Sequence, residues 1–237
     1  MFDRSADLYD LIYGQLKDYP AEAASIAALI RKEAPSARTI LDVACGTGEH
    51  ARLLTEQHGY LVDGLDLEPA FVGIAAGKLP AGRVVQADMA EFELDRHYDV
   101  ILCLFSAIGY LLSPERTTSA LRHFREHLSP GGLIVVEPWL EPGKMTDGRL
   151  FVKQVETPEL AVVRMSRTEV DGRVSRLTFE YLVGRPATGI ERLTERHELL
   201  MLTSDEMMDC FRAAGLDAHH DPIGLTGRGL FVARSAG

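Results

Sequence analysis

The hydrophobic pattern of the chain begins with a helical period. From Pro20 to Ala34 the residues Ala23, Ile26, Ala27 and Ile30 form one apolar stripe, and Pro35 stops it. Short apolar runs then alternate with helical stretches: "TILDVA", "YLVDGLD", "RVVQAD", "YDVILCLF" and "GLIVVEP". Strands that alternate with helices predict β-α-β units, hence an α/β fold built on a doubly wound sheet of mostly parallel strands. The helix before "GLIVVEP" has its own punctuation. Ser113 suits its cap and Pro114 its first turn; Leu121, Phe124 and Leu128 face one side, and Pro130-Gly131-Gly132 is expected to end it.

From Leu150 onward the period shortens to that of consecutive strands. "LAVVRMSRTEV" and "RVSRLTFEYLV" flank Asp171-Gly172, a signal for a type I′ hairpin, and "RLTERHELLMLT" reads as a further antiparallel strand. A helix from Ser204 to Ala214 and a strand "GLFVAR" follow. The expected organisation is one α/β domain made of residues 1–140 and 201–237, interrupted by an antiparallel β insertion over 141–200 that serves as an acceptor-binding lid.

Composition narrows the classes. The 237 residues carry 25 Lys and Arg against 35 Asp and Glu, a net charge of −10, which argues against a nucleic-acid partner. No apolar run approaches a membrane span and "MFDRSADLYD" lacks a signal-peptide pattern, so no membrane partner and a cytoplasmic location are expected. Cys45, Cys103 and Cys210 show no C-x-x-C spacing and are assigned no chemistry. His123 and His127 lie i, i+4 on a helix but lack the glutamate of H-E-x-x-H and a third ligand, so no metal is expected. His197 falls on an insertion strand and can line a site or serve as a satisfied structural histidine.

The candidate chemistry centres on "LDVACGTGEHA". Gly46 and Gly48 satisfy the dinucleotide fingerprint, yet Asp42 and Glu49 flank them, and two carboxylates repel a pyrophosphate in a partly desolvated site. S-adenosylmethionine has an ammonium and a sulfonium and no phosphate, so it tolerates Asp42, which on its own also reads as a capping aspartate. Asp66 ends the second strand at the spacing where an acid meets ribose hydroxyls, and Asp88-Met89 ends the third with an acceptor for an adenine amino group and a soft side chain for its ring. Three acids at successive strand ends favour the cationic nucleoside.

These motifs resemble those of the Rossmann-like (class I) S-adenosylmethionine-dependent methyltransferases over about Thr39 to Pro138. A narrower resemblance runs along nearly the whole chain. "LYDLIY", "KDY", "FSAIGYL", "IVVEPW" and "GRGLFV" are similar to the N,N-dimethyltransferases of TDP-amino-sugar biosynthesis, which methylate the amino group of deoxysugars destined for macrolide antibiotics. The resemblance implies S-adenosyl-L-methionine as cofactor and a TDP-amino sugar as small-molecule acceptor; the oligomer is left open, with a homodimer as one possibility. It implies cofactor contacts from Tyr9, Tyr19, Asp66, Asp88, Met89, Leu104 and the backbone of Ala44. It places Tyr110 at an active-site position that orients the amine, and Trp139 and Arg228 beside the sugar nucleotide, with Arg228 against its pyrophosphate. The chain departs from the family at Leu140, at Met165-Ser166-Arg167 and at Phe2, all on the acceptor side. A small-molecule N- or O-methyltransferase with another acceptor stays open, as do a non-enzymatic cofactor-binding protein and a NAD-dependent oxidoreductase.

One reading comes from the insertion itself. A two-residue turn at Asp171-Gly172 sets Arg167 directly opposite Arg176, an arrangement that destabilises a sheet unless an anion such as an acceptor phosphate neutralises it. Glu169 and Glu180 on the same face offer the alternative of a solvated charged surface.

Overall fold

Five of the apolar runs lie side by side as parallel strands. In the computed structural model, which describes residues 5–236, these are β1 (Thr39–Val43), β2 (Leu61–Asp66), β3 (Val84–Gln86), β4 (Tyr98–Cys103) and β5 (Leu128–Val136). The final antiparallel pair, β10 (Leu216–Asp221) and β11 (Leu230–Ser235), extends the sheet to the order β10-β11-β5-β4-β1-β2-β3. The insertion folds as a separate antiparallel meander of β6 (Leu150–Glu156), β7 (Ala161–Asp171), β8 (Val174–Arg185) and β9 (Gly189–Leu200). No helix among the described residues is long and apolar enough to cross a membrane.

The central strands read as continuous apolar runs because both faces of the sheet are covered. On one side α2 (Tyr19–Glu33) and α3 (Glu49–His58) bury Ile26, Ile30 and Leu54 against Ile40 and Val100. On the other, α5 (Pro114–Glu126) and α6 (Ser204–Ala213) bury Phe124 and Phe211 against Leu41 and Ile101. A third core joins the insertion to the amino-terminal helix α1 (Ala6–Tyr13): Leu8 and Ile12 pack among Val162, Phe179, Tyr181 and Leu193. The remaining helix, α4 (Pro69–Lys78), follows β2.

Three expectations need correction. The helix α5 stops at Glu126, capped at its start by Ser113, and Leu128 opens β5 opposite Tyr98. Pro130-Gly131-Gly132 therefore punctuates a strand, where a register shift between Tyr98 and Val100 absorbs it. The hairpin turn is Gly172-Arg173, one residue later than expected, since Asp171 pairs with Val174. Gly172 has φ +58° and Arg173 a negative φ, the signs of a type II′ turn, not I′. That one residue changes every partner: Arg176 faces Glu169, Arg167 faces Thr178, and the opposed arginine pair does not form. The observed register sets opposite charges against each other, and Arg176 also bonds Asp171 at 2.8 Å and Glu198 at 2.7 Å.

Candidate active site

The order of the sheet reverses between β1 and β4, and a cleft of about 590 Å³ opens there at the carboxyl ends of the strands. Its floor is the glycine loop after β1. Gly46 and Gly48 adopt φ +58° and +77°, and a Cβ on Gly48 would lie 3.0 Å from that of Ala75 in α4, so the loop both turns sharply and packs tightly. Above it α1 is fastened by Asp10, which accepts from Thr47 at 2.5 Å and pairs with Lys78 at 2.6 Å. This fastening brings Tyr9 and Tyr13 onto the cleft; Tyr9 packs edge-on against Phe71 and is so buried that its phenol pKa is raised well above the ordinary value.

One half of the cleft is acidic. Asp42 is 2% exposed, yet among the described residues its side chain makes no hydrogen bond or ion pair. Burial, and the charge of Asp66 beyond it, push its pKa up to about 7. Asp66 accepts from the backbone N–H groups of Gly46 at 2.8 Å and Glu68 at 2.9 Å; burial raises its pKa against the opposing effect of those bonds. Asp88 accepts from Ala90 N–H at 2.8 Å and pairs with Arg116 at 2.7 Å. Tyr19, Ala44, Met89 and Leu104 line the same half.

The other half meets the insertion. Phe105 and Ser106, just after β4, hold φ of +51° and +64°, a strained conformation maintained by buried partners. The Phe105 N–H donates to Glu137 at 2.7 Å, and the Ser106 hydroxyl donates to the Pro138 carbonyl at 2.7 Å. Glu137 also accepts from Thr226 at 2.5 Å, so its two oxygens are occupied in shaping the loop. Arg228 donates to Ser106 Oγ at 3.1 Å and lies over the rings of Phe105 and Trp139. Trp139 itself donates to Ser175 Oγ at 2.8 Å. Tyr110, whose pKa burial pushes far up, places its hydroxyl 3.1 Å from His197 Nδ1. His197 Nε2 is 3.7 Å from Glu195, which also accepts from Ser5 and Tyr181. Burial alone would raise the Glu195 carboxyl, but the neighbouring His197 imidazole and the bonds from Ser5 and Tyr181 outweigh it and hold the pKa below the usual range.

Of the site residues expected from sequence, Tyr9, Tyr19, Asp42, Ala44, Gly46, Asp66, Asp88, Met89, Leu104, Tyr110, Trp139 and Arg228 line this one cleft. Gly48 acts behind it, as the first-turn contact with α4. Arg167 does not reach it; its exposed guanidinium bonds Glu169 at 2.7 Å on the outer face of the insertion. His127 takes the Leu94 N–H on Nε2 and bonds the His123 carbonyl through Nδ1, a structural role. Phe2 lies outside the described residues. Sequence reasoning missed Lys17, Phe105, Arg164 and Phe179, which also line the cleft. For Phe105 the signal was present, in the residue next to Leu104 at a strand end.

Residues 40–132 match the family model described as a methyltransferase domain. The whole chain is similar to the dTDP-3-amino-3,6-dideoxy-alpha-D-glucopyranose N,N-dimethyltransferase of Streptomyces fradiae, 40% identical over 96% of this chain and 89% of that one. Among solved structures, DesVI of Streptomyces venezuelae superposes with a TM-score of 0.91 at 38% identity over 98% of both chains. The SAM-bound amino pentose methyltransferase CalS10 of Micromonospora echinaspora gives 0.85 at 37% identity over 95% of both. The chain belongs to the S-adenosylmethionine-dependent methyltransferases. Within them it falls with the amino-sugar N-methyltransferases, and the insertion, which lies beyond the matched domain model, is covered by the same relatives.

The acidic half suits this methyltransferase's cofactor. A buried carboxylate with no cation of its own, Asp42, has the chemistry to pair with an ammonium or sulfonium and would repel a phosphate. Asp66 of this methyltransferase has lone pairs left beside its two backbone donors, which could accept from a diol such as that of a ribose.

Proposed function

We propose that this methyltransferase methylates the amino nitrogen of a TDP-linked deoxyamino sugar. The observation that carries the reading is Arg228, a guanidinium held beside Trp139 in the half of the cleft that faces the insertion. A planar fork at that place matches a diphosphate, and the similarity to sugar-nucleotide N,N-dimethyltransferases over the full chain supports the same acceptor class.

In this reading Asp42 faces the cofactor's cationic end, Asp66 its ribose, and Asp88 with Met89 its adenine, while Tyr9 and Tyr19 close over it from α1 and α2. When bound, S-adenosylmethionine supplies a methyl carbon on a sulfonium that leaves as a neutral thioether. The residues of the chain then align the attacking nitrogen and exclude water. With His197 Nδ1 as acceptor, the Tyr110 hydroxyl donates to the imidazole and turns an oxygen lone pair toward the cleft. An amine N–H donated to that oxygen aims the nitrogen lone pair at the methyl carbon. The surplus proton passes to the Tyr110 oxygen as Tyr110 gives its own to His197, beside the Glu195 carboxylate.

Acceptor profiling tests the substrate. A TDP-3-amino sugar should be methylated with far higher kcat/KM than the free amino sugar. Arg228→Ala should raise its KM by about ten- to a hundredfold, roughly 1.5–3 kcal/mol, with cofactor affinity unchanged and partial recovery in Arg228→Lys. Equal turnover of both acceptors, with Arg228→Ala behaving like the parent, refutes the reading.

The proposal extends to a cytoplasmic homodimer. The outer face of the insertion exposes Val152 (53%), Met165 (46%) and Leu182 (51%) as a contiguous stripe, with Val152 opposite Met165 and Val163 opposite Leu182. Light scattering should give a dimer for the parent and a monomer for Met165→Asp; a monomeric parent overturns this part.

A further inference from the structure

Arg164 stands on the inner face of β7 and is 5% exposed. Its Nε and Nη1 atoms are buried without a hydrogen-bond partner, and among the described residues no carboxylate pairs with it. Directly across the ladder on one side is Lys153, a second cation; on the other is Tyr181. Its guanidinium lies 5.1 Å from the centre of the Tyr13 ring and 4.8 Å from that of Phe179. Ring faces attract a cation weakly, and they do not replace a counter-ion.

Such a placement is expensive. A buried charge without a partner is strongly disfavoured, and an arginine does not escape that by losing its proton. Directly opposed like charges add to it. The other deeply buried cation of the cleft, Lys17, has its carboxylate in Glu22 at 2.8 Å. Arg164 has room for one: it lines the same cleft as Arg228. The two are linked through an aromatic pair, since Tyr13, under Arg164, meets Phe105, under Arg228, edge-on at 5.4 Å.

We propose that the missing counter-ion is the acceptor's diphosphate, gripped by Arg164 from the insertion as well as by Arg228 from the loop before β11. Arg164 is then a specificity-determining residue of the insertion. It accounts for a charged side chain turned inward between Val162 and Thr168, where a packing strand would place Leu or Val. The inference rests on the sugar-nucleotide reading above.

Calorimetry with thymidine diphosphate and with uncharged thymidine separates the possibilities. The parent should bind the diphosphate. Arg164→Met should bind it at least tenfold more weakly, with a shallower salt dependence and with thymidine and S-adenosylmethionine affinities unchanged. Arg164→Lys, which keeps the charge without the fork, should fall between the two and serves alone if the methionine variant does not fold. Parent-like diphosphate affinity in the variants, or an equal loss for thymidine, overturns the role of Arg164 and leaves the acceptor reading standing. A parent that does not bind thymidine diphosphate overturns both.

Discussion

Asp42 is held among groups that disfavour its charge, burial first and Asp66 second, and its carboxyl titrates near pH 7 in place of the ordinary 3.8. The native state therefore binds a proton more tightly than the unfolded chain. The Asp42 contribution to the stability of the ligand-free protein should fall as pH rises from about 4 to about 7, and Asp42→Asn should remove that part of the slope and leave the part due to Asp66. A cationic ligand reverses the preference. S-adenosylmethionine affinity should climb up to pH 7 and level off above it, with protons released on binding at pH 6. Calorimetry in buffers of different ionisation enthalpy measures that release, and an unchanged pH slope in Asp42→Asn would refute the assignment. Asp42, Gly46, Asp66 and Asp88 were legible from sequence because chain connectivity alone puts the ends of parallel strands at one crevice. Arg164 was not. Its inward direction depends on the ladder register, and the expected pairing of Arg167 with Arg176 was off because the turn falls one residue later.

At the scale of elements, α1 is the piece whose behaviour departs most from its local sequence. Eight residues are too few for a helix to stand alone, and "LYDLIY" carries no period long enough to declare one. Its order comes from Leu8 and Ile12 in the core of the insertion and from Asp10 at the glycine loop. The central strands and the insertion hairpin, by contrast, announce themselves through long apolar runs and a glycine turn. Ile12→Ala should cost about 2–4 kcal/mol in urea unfolding. It should also weaken cofactor binding, although Ile12 does not line the cleft, because Tyr9 and Tyr13 ride on the same helix. An Ile12→Ala protein with parent-like cofactor affinity would show that α1 holds its place without the insertion. The same shared core means that residues 141–200 are not a free appendage: removing them strands Leu8 and Ile12 in water.

For the molecule as a whole, the net charge of −10 conceals an uneven interior: in the proposed arrangement Asp42 and Asp66 face the cofactor, while Arg164 and Arg228 face the acceptor. Every turnover carries one unit of positive charge across that divide, from sulfur to nitrogen. The fixed charges of the protein resist the displacement, since it leaves the acids and arrives among the arginines. Two events relieve the opposition: a diphosphate seated on the arginines, and the departure of the nitrogen's proton toward His197. In that arrangement an acceptor without phosphates is penalised twice, once in binding and again in the barrier itself, and the nucleotide acts as part of the electrostatics of methyl transfer as well as a handle for recognition.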